Sequence, residues 1–373
     1  MTAIEPAGDL AALDAAIEGL PNQPAVFLLW PREGQPYLSK TGLLRRRLLR
    51  LLKEREKPSR LLNLRHTVER IEYQLTGSAL ETAVVHYREA RRHFPEDYLD
   101  RLKLRMPTYV KIVLANEFPR SQLTTHLTRS AGLFFGPFRS RASAERFEAQ
   151  CLDLFQMRRC QEDLKPSPDH PGCMYGEMGM CLRPCQQVVG AAEYATEVSR
   201  VVEFLRTEGH SLLDSIGRSR DRLSEEMRFE EAARQHKRYE KVTEVLKLRD
   251  ELARDVDRLN GVAITRSVAH EAVELWLVRE GYLLDARRFS FEVQEGKTVS
   301  MDRRLREMIA GAETPKLTVR ERQEYLALLA RWYYSSWRDG EWLDFEGIEN
   351  VPYRKLVNAI SRVAREESKQ PSG

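Results

Sequence analysis

The chain has 373 residues, enough for two or three domains, and its 42% hydrophobic content supports well-packed cores. Charged residues make up 31%, yet the net charge is only +4, which excludes a globally basic nucleic-acid binder. No apolar run approaches the roughly 20 residues of a membrane span, and the start, with Glu5 and Asp9, lacks the basic-then-apolar pattern of a secretory signal, so a cytoplasmic protein is expected.

The elements follow in chain order. Residues 8–19 alternate apolar and acidic positions at helical spacing and predict a lead helix. The apolar run Ala25-Val-Phe-Leu-Leu-Trp30, a turn at Pro31-Arg-Glu-Gly34 and a second short strand, Gln35-Pro-Tyr37-Leu38, predict a hairpin. Gly42 to Glu54 reads as a basic helix with Leu43, Leu44, Leu48, Leu51 and Leu52 on one side. Ile71–Leu75 alternates as a strand, 79–94 is a helix stopped by Pro95, and Tyr109–Leu114 is another strand, so residues 20–115 form one α/β unit. Phe134-Phe-Gly-Pro-Phe138 reads as a turn and 143–155 as a helix, within a Cys-rich region over 130–190. Residues 195–255 read as a charged helical hairpin. Residues 256–373 follow as a small α+β region, with strands from Ala263 to Val293 and mainly helix from Val319 to Glu367. Trp332-Tyr-Tyr and Trp337 offer rings on which bases stack, but the neighbouring Leu326, Leu328 and Leu329 favour core packing.

Basicity is local and of one kind. Of 60 Lys and Arg, 47 are Arg, whose planar fork suits phosphates, and they cluster at Arg45-Arg46-Arg47, Arg91-Arg92 and Arg158-Arg159. A GC-rich genome and solvated helix faces give the same excess.

Five cysteines, an odd number, argue against a disulfide framework. Cys151 lies on an apolar helical stretch and reads as a buried structural thiol. Cys160, Cys173, Cys181 and Cys185 are different. The last three sit in His170-Pro-Gly-Cys-Met-Tyr-Gly-Glu-Met-Gly-Met-Cys-Leu-Arg-Pro-Cys185, where Gly and Pro turns bend the backbone enough to aim several sulfurs at one centre. Four thiolates suit either tetrahedral Zn²⁺ or a [4Fe–4S] cluster. His170, inside the segment, reads as a surface loop residue.

Gly136-Pro-Phe138, the helix ending at Arg158-Arg-Cys160, and the run to Pro184-Cys185 together resemble the UvrC/Cho family of excinuclease subunits. Pro24-Ala-Val-Phe27, Tyr37-Leu-Ser-Lys40 and Leu44-Arg45-Arg-Arg47 resemble the start of its GIY-YIG nuclease domain. Met227-Arg-Phe229-Glu230-Glu-Ala232-Ala233 resembles its UVR helical hairpin, and Asp255-Val-Asp-Arg-Leu with Leu277-Val-Arg-Glu-Gly-Tyr-Leu-Leu resembles the strand pair beyond it. The resemblance covers residues 24–290. It implies an α/β GIY-YIG-like domain, a Cys-rich cluster segment, a UVR-like hairpin and a small α+β C-terminal region. No segment resembles the family's RNase-H-like domain or paired helix-hairpin-helix tail, so a truncated UvrC is expected.

The family's functions become expectations for named residues. A GIY-YIG site needs a Tyr or water as base, cations on the phosphate and a carboxylate holding one divalent metal such as Mg²⁺ or Mn²⁺. Tyr37, Lys40 and Arg47 match the Tyr and the cations, with Arg45 beside them on DNA. Phe27 replaces the first-strand Tyr and Ser39 a Gly. In ungapped register the metal Glu falls on His86, Glu81 matches an earlier Glu, and Tyr98 replaces an Asn. Neutral imidazole is a poor ligand for Mg²⁺. Either the site is a degenerate nuclease that grips DNA, or His86 or Glu81 supplies a ligand and cleavage survives. The resemblance further implies a [4Fe–4S] cluster on the four cysteines, with Arg158, Arg159 and Arg183 meeting phosphates of damaged duplex DNA. It implies a UvrB-like partner at Phe229, Glu230 and Ala233, although His236-Lys237 replaces the family's Arg-Asp. An adaptor without catalysis is the competing class.

Overall fold

The first sheet is built by alternation. In the computed structural model, which describes residues 1–5, 10–52, 54, 64–291, 300–313 and 317–367, four antiparallel strands run in the order β1-β4-β2-β3: β1 (Thr2–Ile4), β2 (Ala25–Pro31), β3 (Tyr37–Thr41) and β4 (Val68–Leu75). Ala25, Phe27 and Leu29 point to one face, where α1 (Leu10–Glu18) and α2 (Leu44–Leu52) cover them. Leu44, Leu48, Leu51 and Leu52 make the buried stripe of α2. The expected basic helix therefore packs as its leucines require. α3 (Ala79–His93) covers the other face. Its N-cap Ser78 Oγ accepts from Glu81 N at 3.1 Å, and the short α4 (Tyr98–Leu102) follows.

The strand expected to close this unit pairs elsewhere. β5 (Thr108–Val113) lies between β6 (Arg120–Thr124) and β7 (Gly132–Phe138), with β8 (Arg254–Asp255) at the edge of a second sheet. The expected turn Phe134–Phe138 is strand β7. Its pairing with β5 slips between Thr108 and Val110, and Pro137, which cannot donate to a ladder, sits in that irregularity. α5 (Arg141–Leu152) packs on this sheet through Phe147, stacked on Phe135 with centroids 5.2 Å apart. α6 (Met174–Glu177) is a single turn in the cysteine segment. α7 (Ala191–Arg206), α8 (His210–Glu225) and α9 (Phe229–Lys247) follow, the last two as a hairpin.

The third sheet has β9 (Gly261–Arg266), β10 (Ala272–Arg279), β11 (Tyr282–Leu283), β12 (Arg287–Ser290) and β13 (Gly340–Asp344). The order is β11-β10-β9-β13, with β12 also on β10. β13 interrupts the tail expected to be mainly helical. α10 (Met301–Ala310) and α12 (Tyr353–Glu367) share a core with one face of this sheet. α11 (Val319–Tyr333), begun by a Thr318–Glu321 capping box, lies in the core that joins α3, the second sheet and the third. Glu324 is 1% exposed there and accepts from Tyr87 Oη at 2.5 Å, Tyr98 Oη at 2.7 Å and Arg320 Nε at 2.9 Å. Among the described residues this gives a mixed α/β protein of twelve α-helices and three sheets, and no helix long and apolar enough to cross a membrane.

Candidate functional site

The strand alternation of β3 divides the residues matched to a GIY-YIG site. Lys40, paired with Val26, lies on the α3 side of the first sheet. Tyr37, paired with Leu29, lies on the α1 and α2 side, its ring 6.3 Å from that of Phe27. Arg45 and Arg47 belong to α2 on that side too. Arg45 Nη1 donates to the Glu18 carbonyl at 3.3 Å, and Arg47 Nε is buried without a partner among the described residues.

On the α3 side, Lys40 and His86 come together, and Arg331 of α11 joins them. Burial first, then the positive charges of Lys40 and Arg331, push His86 down to about 4, so its imidazole is neutral at pH 7. Lys40 keeps contact with solvent, yet the cavity walls remove hydration from its ammonium and Arg331 repels it, which lowers its pKa. The cavity, of about 580 Å³, is lined by Lys40, Gly77, Ser78, Arg331, Trp337 and Asp339, among others.

Carboxylates at this site are tied to the helix end. Glu81 Oε2 accepts from Gly77 N at 2.7 Å; burial raises its pKa, and its nearest charges are Glu274 and Arg288 of the third sheet. Asp339, which the sequence reading missed, accepts from Ala79 N at 2.6 Å and Trp332 Nε1 at 2.9 Å. Tyr98 donates to Glu324 and takes no part in the site. Arg331 and Asp339 come from the far end of the chain, and no local pattern marks them. The aromatic stretch divides: Trp332 is core at 1% exposure, whereas Trp337 is 51% exposed at the cavity.

In the cysteine segment two of the three arginines expected to meet phosphates turn inward. Arg158 is 1% exposed and donates to the carbonyls of Phe118 at 2.9 Å and Glu162 at 2.8 Å and to Cys160 Sγ at 3.3 Å. Its backbone N–H donates to Tyr194 Oη, which donates in turn to the Pro119 carbonyl at 2.8 Å. Irregular buried loops leave carbonyls without partners, and one guanidinium supplies several donors at once. Arg159 pairs with Asp153 at 2.7 Å and lies 5.2 Å from the Tyr175 ring. Arg183 is exposed, with its backbone left-handed at φ 56°.

The four thiols lie close enough to perturb one another. Burial, then the charges of Cys160, Cys173 and Cys185, push Cys181 up to about 11, against an N–H donated by Arg183 at 3.4 Å. Cys185 is raised by burial and by Cys160 and Cys173. Among the described residues no group of three or more His, Cys, Asp or Glu side chains stands in a ready ligand array. The donor set itself, four soft sulfurs with an N–H trained on one of them, suits zinc or an iron–sulfur cluster. His170 Nδ1 accepts from Gly172 N at 3.0 Å and shapes a turn. Cys151 is 4% exposed within α5, pushed up to about 12 by burial, and is an inert core thiol.

The α8–α9 turn carries two large apolar side chains in water, Met227 at 78% and Phe229 at 66% exposure. Glu230 and Ala233 are exposed beside them, while Ala232 is buried.

A family model for the middle domain of the UvrC/Cho excinucleases matches residues 108–204, from β5 through the four cysteines into α7. UvrABC system protein C of Lachnospira eligens is 27% identical over 77% of this chain and 48% of its own length. Those of Moorella thermoacetica (25% identical, 86% of this chain, 53% of that protein) and Dehalococcoides mccartyi (24%, 96% and 60%) are similar in extent. The chain spans about half the length of these curated relatives. No solved structure matches it. The middle-domain match encloses the cysteine quartet, the curated similarity runs along most of the chain, and both point the same way: this is a UvrC-like protein.

Proposed function

We propose that this chain acts in nucleotide-excision repair as a DNA-binding and partner-binding component whose GIY-YIG-like site grips phosphates and cuts weakly or not at all. One observation carries the reading: Lys40 and Arg331 flank a neutral His86 where the family resemblance puts a metal carboxylate, while Glu81 caps α3 and faces the third sheet. Two cations and a neutral imidazole attract a phosphate but hold Mg²⁺ poorly. Tyr37, on the opposite face of the sheet, is out of place as the base for that phosphate. A nicking assay on damaged plasmid with Mg²⁺ or Mn²⁺, alone and with UvrA and UvrB, should give little or no incision. Robust cleavage abolished by Tyr37→Phe or His86→Ala would overturn the reading.

The exposed tip at Met227 and Phe229 favours the adaptor side of this function, with α8 and α9 as a UVR-like hairpin for a UvrB-like protein. A pull-down with UvrB should succeed with the parent chain and fail with Phe229→Ala; equal capture of both would remove the hairpin from the interface. Cys160, Cys173, Cys181 and Cys185 would hold a [4Fe–4S] cluster or, as the alternative, Zn²⁺. Either centre, when bound, would cross-link the loop after α5 to the turn around α6 and the segment before α7. Anaerobically purified protein should be brown and carry iron and sulfide; colourless protein carrying zinc would assign the alternative.

A further inference from the structure

Arg331 lines a second cavity as well. This one, of about 820 Å³, is walled by Lys103 and Arg105 after α4, by Arg139 and Arg141 at the β7–α5 corner, and by Tyr334 after α11. Five of its lining side chains are cationic and none is acidic. Lys103, Arg105 and Arg331 are exposed, and their side chains make no hydrogen bond or ion pair with a described residue. Arg139 lies 5.3 Å from the Tyr334 ring, Arg141 pairs with Glu145 in solvent at 2.8 Å, and Asp250 accepts from the Arg139 backbone N–H and the Ser143 hydroxyl but from no guanidinium. Elsewhere in the chain most arginines are tied to carboxylates or carbonyls. Here Lys103, Arg105 and Arg331 are left without a described partner around a concavity.

We propose that the two cavities form one basic groove around the C-terminal turn of α11, and that it binds the backbone of single-stranded DNA. Lys103, Arg105 and Arg331 take phosphates, and Trp337 takes a base. A positively charged track with an exposed ring is what sequence-tolerant single-strand binding requires. Recesses of this size receive drug-sized groups such as single nucleotides, whereas a duplex rides over them. The placement follows from the fold: α4, the second sheet and α11 meet here, so the groove exists only once all three are assembled. The proposal rests on the DNA-binding reading above and extends its phosphate contact from Lys40 and Arg331 to this junction.

The test is fluorescence anisotropy with a labelled oligo-dT of roughly 15 nucleotides, near the upper site size of one single-strand groove, beside a duplex of equal length, as a function of salt. The parent chain should prefer the single strand. Lys103→Ala/Arg105→Ala should weaken binding and reduce the slope of log Kd against log salt by about 1.4, because each lost phosphate contact on a single strand removes about 0.7. Arg331→Ala should remove about 0.7 more. Trp337→Ala should weaken binding at least about fivefold with the slope unchanged, the mark of lost stacking. Thermal melts of all variants should overlay that of the parent, since these side chains hold nothing in the fold. If the parent binds DNA but affinity and slope are unmoved by the basic variants, or if it prefers duplex, the groove is wrong and DNA binding stands. If the parent binds neither DNA, both fail.

Discussion

Two groups of arginines do opposite work in this chain. Around the cysteines, Arg158 and Arg159 point inward, and carbonyls, a thiol and Asp153 take up their donors. Around α11, Lys103, Arg105 and Arg331 are exposed with no partner among the described residues. Both groups look alike in the sequence. What separates them is whether backbone acceptors lie within reach: the loop joining α5 to α6 is irregular, so its carbonyls need donors, while most carbonyls of α11 are taken up by the helix's own ladder. An arginine run therefore says less about phosphate binding than the local supply of acceptors does.

The largest test of that contrast is Arg158→Met. It leaves the carbonyls of Phe118 and Glu162 without those donors, and orphaning such an acceptor where it is buried costs about 1–3 kcal/mol each. Urea unfolding should register that loss, while Arg331→Ala stays within about 0.5 kcal/mol of the parent. Equal losses would collapse the distinction between inward and outward arginines.

The same distinction can be drawn along one helix. α11 exposes Arg331 in its last turn and buries Glu324 two turns earlier on the same face, where two tyrosine hydroxyls converge on the carboxylate. Glu324→Leu strands both hydroxyls in the core. It should destabilise by about 2–4 kcal/mol, with the two orphaned donors dominating. Tyr87→Phe, which leaves Tyr98 and Arg320 on the carboxylate, should cost about 1 kcal/mol. If the tyrosine change costs as much as the glutamate change, the network is not what fastens α11 to α3.

How much of this was legible in the sequence follows the range of the interactions. The β2–β3 hairpin, the leucine stripe of α2, the Ser78 start of α3 and the burial of Cys151 are local or periodic features and could be read directly. Sheet membership could not. Tyr109 to Leu114 reads as a strand, but nothing near it says that its partners are β6 and β7. β13 is five residues long inside a helical tail, too short for its alternation to register. At the candidate site, Lys40 and His86 were legible through the family resemblance, and their meeting follows from β3 alternation and α3 packing. Arg331 and Asp339 reach the same cavity through the third sheet and α11, contacts that no window of sequence contains. The inward turn of Arg158 was hidden for the same reason, since its acceptor at Phe118 belongs to a different loop.

A smaller effect probes the open side by pH. His86 is held at about 4 against an ordinary 6.5, so between those values the unfolded chain binds a proton that the folded chain rejects. Stability from this group is fully present above pH 6.5 and is lost as pH falls towards 4. Comparing the parent with His86→Gln by urea unfolding at pH 7 and pH 4.5 should show an extra loss of about 1–2 kcal/mol in the parent, after allowing for solvent in the cavity. Parallel pH profiles would mean that neither burial nor the two cations hold this imidazole down. Saturating oligo-dT should shrink the difference, because phosphates offset the cations that suppress the proton.

Asp339→Asn should give the most discriminating change, because two readouts move in opposite directions. The carboxylate accepts from Ala79 N at 2.6 Å at the start of α3, where negative charge is favoured, and from Trp332 Nε1 at 2.9 Å. The amide keeps a carbonyl for one of these donors and sets its NH2 against the other, so the change should cost about 1–2 kcal/mol of stability. The same change removes a negative charge from the cavity that holds Lys40 and Arg331. Oligo-dT should then bind more tightly, by about two- to fivefold at low salt, with the gain fading as salt screens it. A variant that loses stability and affinity together would make Asp339 a support for the groove's shape and not a counterweight to its charge, and the cations of α11 would then owe their exposure to packing alone.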